Sequence, residues 1–385
     1  MAERVYLDWN ATAPLRPEAR QAMAAAWDIS GNPSSVHSEG RQARRLVEDS
    51  RAAIAAAIGA RPENIVFSSG GTEANALALT SGLRRGTGQP VGRLLVSAIE
   101  HASVLSGGRF APEATGTIGV TSAGIVDVGH LRALLAAGPL ALVSVMLANN
   151  ETGAVQPISE IADVVHEAGG LLHVDAIQAL GKIPFDINAI GADLLTISAH
   201  KIGGPKGVGA LVLAEDIQGL APLLRGGGQE LGRRAGTENV AGIAAFGAAA
   251  RAAMAALPGD SARLQGLRER LERGLRQTQG MIVFGEDAPR LPNCTLFTVP
   301  GLRAETAVIG FDLAGIAVSS GSACSSGKVQ PSHVLDAMGF SRDLAQGAVR
   351  LSLGWSTSEA DIDLTLEAWR KLADGLLRGQ RRNTA

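Results

Sequence analysis

The chain has 385 residues, 46% of them hydrophobic and 19% charged, with a formal net charge of −2, which is enough chain for a large core and two domains. Its two cysteines, Cys294 and Cys324, exclude a disulfide-stapled scaffold and lack the paired spacing of a zinc site. The balanced charge, with no basic block among aromatics, argues against a nucleic-acid partner. With no leader-like start and no charge-free apolar run of about 18 residues, the chain reads as a soluble cytoplasmic protein, away from the membrane, acting on something small.

In chain order, a helix is expected over "GRQARRLVEDSRAAIAAAIG", ending at a glycine as helix C-termini do. Short apolar runs follow: "NIVFSS", "RLLVSA", "ALVSVML", "LLHVDA", "DLLTIS" and "GALVLA". Each is Val-, Leu- and Ile-rich and bounded by turn formers, as the buried strands of a mostly parallel sheet should be. Helical patterns such as "PISEIADVVHEAGG" alternate with them, which predicts an α/β fold with helices on both sheet faces. From about 239 to 279 the sequence favours helix, with a break expected at "LPGD". A smaller unit follows, with strands near "NCTLFTV" and "VRLSLG" and a final helix near "EADIDLTLEAWRKLADGLL".

Several strand ends carry chemistry. "FSSGGTEANALALT" reads as strand, Gly-Gly-Thr turn and helix, where backbone N–H groups and the Thr72 hydroxyl can cradle a phosphate; taken alone, these residues read first as a simple cap, with Thr72 ahead of Glu73. "SAIEHASV" ends a strand with Glu100 and His101, and "MLANNETG" ends another with Asn149, Asn150 and Glu151. "LLHVDAIQALG" places Asp175 at a strand end and Gln178 three residues on. "LLTISAHKIGGPKG" runs from a strand into Lys201 and three glycines. Alone, that lysine reads as a surface residue of a loop. Together, a strand-end lysine and a strand-end acid are what a pyridoxal phosphate enzyme needs, the amine for a Schiff base and the carboxylate to keep the pyridine nitrogen protonated. Cys324 lies in "SSGSACSSGKVQPSH", flanks too polar and irregular for a core residue, and reads as a mobile nucleophilic thiol. Cys294, within "NCTLFTV", reads as a small buried hydrophobe.

These residues resemble the cysteine desulfurases of the NifS/IscS type, within the class V aminotransferase fold group. The resemblance runs through "YLDWNATAPLRPEA", "GNPSSVHSEGR", "GGTEAN", "NNETG", "HVDAIQ", "SAHKIGGPKG", "GGGQELGRRAGTEN" and "SSGSACSS". It implies a large aspartate-aminotransferase-like domain over residues 13–255, with a mostly parallel seven-stranded-type sheet, and a smaller α+β domain from residues 1–12 and 256–385 that carries the cysteine loop. It implies that Lys201 holds pyridoxal 5'-phosphate covalently and later moves protons, that Asp175 pairs with the ring nitrogen, and that His101 stacks on the ring as acid or base. Gln178 would contact the ring hydroxyl, and Asn150 would lie at the ring edge near the substrate. Gly71, Thr72, Ser198 and His200 would hold the phosphate, joined by Thr237 of the partner subunit in a homodimer with a shared site. Arg350 would grip the carboxylate of L-cysteine.

Cys324 would take the sulfur as a persulfide, releasing L-alanine, and pass it to an iron–sulfur scaffold or another acceptor, including thio-cofactor synthesis. No resident metal is implied, only transient iron–sulfur ligation by Cys324 during transfer. Two departures from the family pattern stand out. "SLGW" places Trp355 where the family has an arginine, and the C-terminus lacks the tail of housekeeping members, which favours a NifS-like one. The long cysteine loop points to direct transfer to an acceptor. A selenocysteine lyase or another class V enzyme would share Lys201, Asp175 and His101, and Cys324 argues for the desulfurase. A non-catalytic scaffold would have no use for Lys201, Asp175 and Arg350.

Overall fold

A computed structural model of the protein describes residues 4–321 and 332–383, the last eight of these as backbone only. The six apolar runs become six strands of a seven-stranded sheet. In chain order the strands are β1 (Ile65–Ser68), β2 (Arg93–Ser97), β3 (Thr115–Ile118), β4 (Ala141–Met146), β5 (Leu171–Asp175), β6 (Leu194–Ser198) and β7 (Gly209–Leu213). Their spatial order is β1-β7-β6-β5-β4-β2-β3. Pairing is parallel except at β7, which runs antiparallel to both of its neighbours. Every residue of β4 to β7 is buried, which is why these strands read as continuous apolar runs rather than alternating ones. β3 has no such signature. Its sequence is Thr-Gly-Thr-Ile, it is largely unburied, and it pairs only with β2 at the sheet edge.

Helices α1 (Pro17–Trp27), α2 (Ser38–Ile58), α3 (Gly71–Ala78), α4 (Val128–Ala136), α5 (Ile158–Glu167) and α6 (Val240–Leu275) complete this part. α2 stops where expected, at Gly59, whose φ of 71° is left-handed. A Cβ there would lie 1.7 Å from the Asp186 carboxylate, so position 59 requires glycine for space as well as for conformation.

The break expected at "LPGD" does not occur. α6 continues through Pro258 for 36 residues. Proline costs a helix about 3 kcal/mol, but Ile243, Phe246, Ala249 and Ala253 pack into the large-sheet core ahead of it. Leu264, Leu267, Leu271 and Leu275 pack into a second core beyond it, at roughly 1.5–3 kcal/mol per leucine. Packing on both sides outweighs the local breaker. α6 is long and apolar enough to cross a membrane by length and composition, but 67% of its most apolar window is buried inside the protein.

The second core surrounds an antiparallel sheet of β8 (Ile282–Val283), β9 (Cys294–Thr298), β10 (Ser319–Ser320) and β11 (Val349–Ser352), in the order β8-β9-β11-β10. Helices α7 (Ala304–Leu313) and α8 (Glu359–Asn383) cover it. Trp369 of α8 is fully buried, edge-on to Phe297 at 5.0 Å and stacked on Phe311 at 6.1 Å. Val5–Tyr6 pairs in parallel with Ile316–Ala317, which ties the N-terminus to this second unit. Trp355 is placed by packing. Its ring lies 4.5 Å from Trp9, and the Arg16 guanidinium sits 3.9 Å above it.

Candidate active site

β4 and β5 end level and β6 runs two residues further, because the register sets Met146 beside Asp175 and Asp175 beside Thr196. Together with the segments after β1 and β2 they form one edge of the sheet, the edge where open α/β folds bind ligands. A cavity of about 440 Å³ opens there. Gly71, Thr72, His101, Asn150, Asp175, Gln178, Ser198, His200, Lys201 and Arg350 all line it, so ten of the twelve residues expected from the sequence converge. Thr237 is exposed and outside this lining. Cys324 lies outside the described residues.

α3 brings its N-terminus to the cavity. A Cβ on Gly71 would lie 2.2 Å from Cδ1 of Ile177, so a side chain at 71 would have to push that methyl aside where the helix start meets the segment after β5. The first N–H groups of a helix have no intrahelical acceptor and carry the positive end of its dipole, an arrangement suited to an anion. Ser198 adds a buried hydroxyl with no hydrogen-bond partner among the described residues. His200 is held down to about 4 by burial and by nearby Lys201, Lys206 and Lys182, and its Nδ1 is 3.1 Å from the Thr12 hydroxyl. It offers a neutral imidazole.

Lys201 closes the short turn after β6, and its Nζ donates to the carbonyls of Asn10 at 2.6 Å and Ala11 at 2.8 Å. Burial and then Arg350 pull the amine down to about 8, against the raising influence of Asp175 and Asp8. An amine so tuned serves as both nucleophile and proton carrier near neutral pH. Asp175 is buried, and its oxygens accept from the Asn75 amide at 2.9 Å and the Ile177 N–H at 3.0 Å. Burial pushes this carboxyl up, opposed by those two bonds and by the charges of His101 and Lys201. Among the described residues no cation pairs with it directly, so the site can accept a protonated ring nitrogen.

His101 is oriented through a relay. Asn75 Nδ2 donates to both Asp175 and the Ser103 hydroxyl, each at 2.9 Å, while the Thr196 hydroxyl donates to its oxygen at 2.6 Å. The Ser103 hydroxyl, accepting from Asn75, has its own proton for His101 Nδ1 at 2.8 Å, and the Ser103 N–H reaches the same nitrogen at 3.1 Å. Nδ1 is therefore the acceptor. The neutral ring, kept so chiefly by burial, carries its proton on Nε2.

Arg350 is buried, with Nη1 donating to the Asn150 carbonyl at 3.0 Å and Nη2 to Asp8 at 2.8 Å, and among the described residues its Nε lacks a partner. That leaves guanidinium donors for a carboxylate. Glu151, next to Asn150, accepts from the Ser332 hydroxyl at 2.5 Å, and burial pushes it up to about 7. Ser332 caps the helix His333–Ala337, so a buried carboxyl fastens the chain immediately beyond the cysteine segment to the cavity. Cys294 is buried as expected, with its thiol 3.2 Å from the Glu151 carbonyl.

Asn10, Ala11, Asn75 and His333 belong to the site without having been expected there. The first two offer backbone carbonyls to Lys201, for which a sequence has no signal, and Asn10 also takes part through its side chain. Asn75 lies within the quoted "GGTEAN", on the helix turn after Thr72, and was legible only as part of the motif.

The donor set suits a phosphorylated, ring-nitrogen-bearing group that reacts with an amine. The Ser198 hydroxyl lies beside the α3 N-terminus, Asp175 is a buried carboxyl with no cation on it among the described residues, and Lys201 lines the same cavity. Comparison with known proteins points the same way. The chain matches the Aminotransferase class-V family over residues 5–365. It is 44% identical over 382 residues to a cysteine desulfurase of Cereibacter sphaeroides, covering 97% of each chain. It is 42% identical over 371 residues to an IscS-like cysteine desulfurase of Mycobacterium tuberculosis, covering 94% of each. Its fold is similar to the X-ray structure of a NifS-like protein from Rickettsia africae, with a TM-score of 0.88 and 37% identity, covering 97% of this chain and all of that one. On site, sequence and fold together, the chain belongs to the class V aminotransferases and, within them, to the cysteine desulfurases.

Proposed function

We propose that this enzyme binds pyridoxal 5'-phosphate in the cavity and uses it to move sulfur from L-cysteine to Cys324. The observation that carries this reading is Lys201, Asp175 and Arg350 facing one cavity beside the orphaned Ser198 hydroxyl. When bound, the cofactor supplies an electron sink that lets the substrate lose its α-proton and weakens its C–S bond. The α3 N-terminus, Thr72, Ser198 and His200 hold the phosphate, completed by Thr237 of the partner subunit in a homodimer. Asp175 would keep the ring nitrogen of that group protonated, and His101, Gln178 and Asn150, which line the same cavity, would contact its ring. Arg350 orients the substrate carboxylate. Lys201 would hold the group covalently, and its amine, lowered to about 8, would move the proton of the substrate α-carbon.

The Cys324 thiolate then attacks the substrate sulfur. An S–S bond forms as the C–S bond breaks, and the carbon fragment takes up protons to leave as L-alanine, so no external oxidant or reductant is needed. The persulfide passes to an acceptor, an iron–sulfur scaffold or a carrier for thio-cofactor synthesis, in the cytoplasm. The division into residues 13–255 and a second unit of 1–12 and 256–385 fits this scheme, since the second unit supplies Arg350 and the thiol.

The test is alanine and persulfide formation from L-cysteine by wild type and by Cys324→Ala. Wild type is expected to yield both in equal amounts and the variant neither, with the variant still showing a cysteine-dependent change in cofactor absorbance. Equal desulfuration by the variant would remove Cys324 from the reaction. Spectral change without alanine in the wild type would favour a selenocysteine lyase or another class V activity.

A further inference from the structure

A buried ammonium behind the cavity wall has no part in the roles above. Lys182 Nζ donates to Gln178 Oε1 at 2.5 Å and to Asn10 Oδ1 at 3.0 Å. Gln178 Nε2 in turn donates to the Asn10 carbonyl at 2.9 Å, the same carbonyl that accepts from Lys201. Lys182 is 9% exposed, and both acceptors are neutral amides. Burial and the nearby Lys201 pull its amine down to about 7. Keeping a cation in such a place costs stability, so its effect on its neighbours has to be considered.

An amide can turn either its oxygen or its nitrogen toward a cavity, and the two orientations fill nearly the same space. An ammonium has three donors and no acceptor. Protonated Lys182 therefore turns Oε1 of Gln178 backward, as the contact between them shows. Its Nε2 then spends one hydrogen on the Asn10 carbonyl and has the second left for the cavity, which Gln178 lines.

We propose that Lys182 is a positioning residue, fixing the Gln178 amide so that the cavity meets an N–H donor there and receives an anionic oxygen. This rests on the pyridoxal phosphate reading, in which that oxygen is the one on the cofactor ring. The cation one amide away adds its field to the same preference. Lys201, Arg350 and Cys294 also act on Lys182 by charge, and Arg16 and Asp260 share a small cavity with it. All five stay unchanged in the test below.

The measurement is the pH titration of cofactor absorbance in the substrate-free holoenzyme of wild type, Lys182→Met and Lys182→Arg. In Lys182→Met only the Asn10 carbonyl still holds the Gln178 amide, while the donor on Oε1 and the cation are gone, so the midpoint should rise by about one pH unit, a tenfold change in proton affinity. Lys182→Arg should restore at least half of the shift, since guanidinium is also donor-only. If Lys182→Met does not fold, Lys182→Gln gives the same reading: it removes the charge, and its midpoint should move the same way by a smaller step. A folded Met or Gln variant that titrates with the wild type would overturn the proposal. A wild type that takes up no pyridoxal phosphate would overturn the cofactor reading first, and this inference with it.

Discussion

Lys201→Ala should lower desulfuration by at least roughly 10³-fold, at the upper part of what a positioned acid–base group contributes, and should abolish covalent retention of the cofactor. The fold should survive. In the protein as described, the Lys201 amine is held by two backbone carbonyls while burial and Arg350 disfavour its charge. Its removal deletes a group whose ionised form is already costly, so thermal stability should be unchanged or slightly raised.

The same amine makes a pH prediction for wild type. Only the neutral form attacks a carbonyl, and with the amine near 8 the neutral fraction grows about tenfold per pH unit below that value. The rate at which cofactor-free enzyme takes up pyridoxal phosphate should therefore climb with pH and level off above about 8, read by stopped-flow absorbance. A flat profile from pH 6 to 9, or retained covalent cofactor in Lys201→Ala, would place the attachment elsewhere.

Asp175→Asn should lower kcat by roughly 10²–10³-fold, the cost of removing one preorganised electrostatic partner from an active site. The substitution keeps the shape and changes the charge. Asn75 Nδ2 and the Ile177 N–H both donate to the carboxylate. An amide there can accept from one of them through its oxygen, but it offers no charge to a protonated ring nitrogen. KM for cysteine should move only a few-fold, because Arg350 keeps its contacts to Asp8 and the Asn150 carbonyl. A split of that kind marks a role in the transition state rather than in substrate binding. Melting should not fall by much, since burial already opposes ionisation of Asp175. Near-normal kcat in the folded variant would show that Asp175 does not pair with the ring.

How much of this was legible beforehand depends on the range of the interaction. β4 to β7 were readable because full burial leaves a local record, an apolar run closed by turn formers. The polar strand ends that build the cavity were readable for the same reason, since Asp175 and Lys201 stand where such runs stop. Residue-type order along the chain was also enough for the family and hence the reaction. β3 left no record, because an edge strand of Thr and Gly has no second neighbour to bury it.

The break expected at Pro258 failed for the opposite reason: a local cost was overridden by leucines that find their partners in a different core. Trp355 could be seen as a departure in the sequence, but only packing brings it to Trp9 and Arg16. Lys182 reads in sequence as one more lysine after a glycine, and it becomes part of the site only when Asn10, 172 positions away, is folded against it. The backbone carbonyls that hold Lys201 lie 190 and 191 positions from it. The sequence by itself determined which side chains end the strands, and with them the chemistry, because burial and turns are recorded locally. Only the tertiary structure decided how those side chains are oriented and charged, because orientation and desolvation come from atoms distant in the chain.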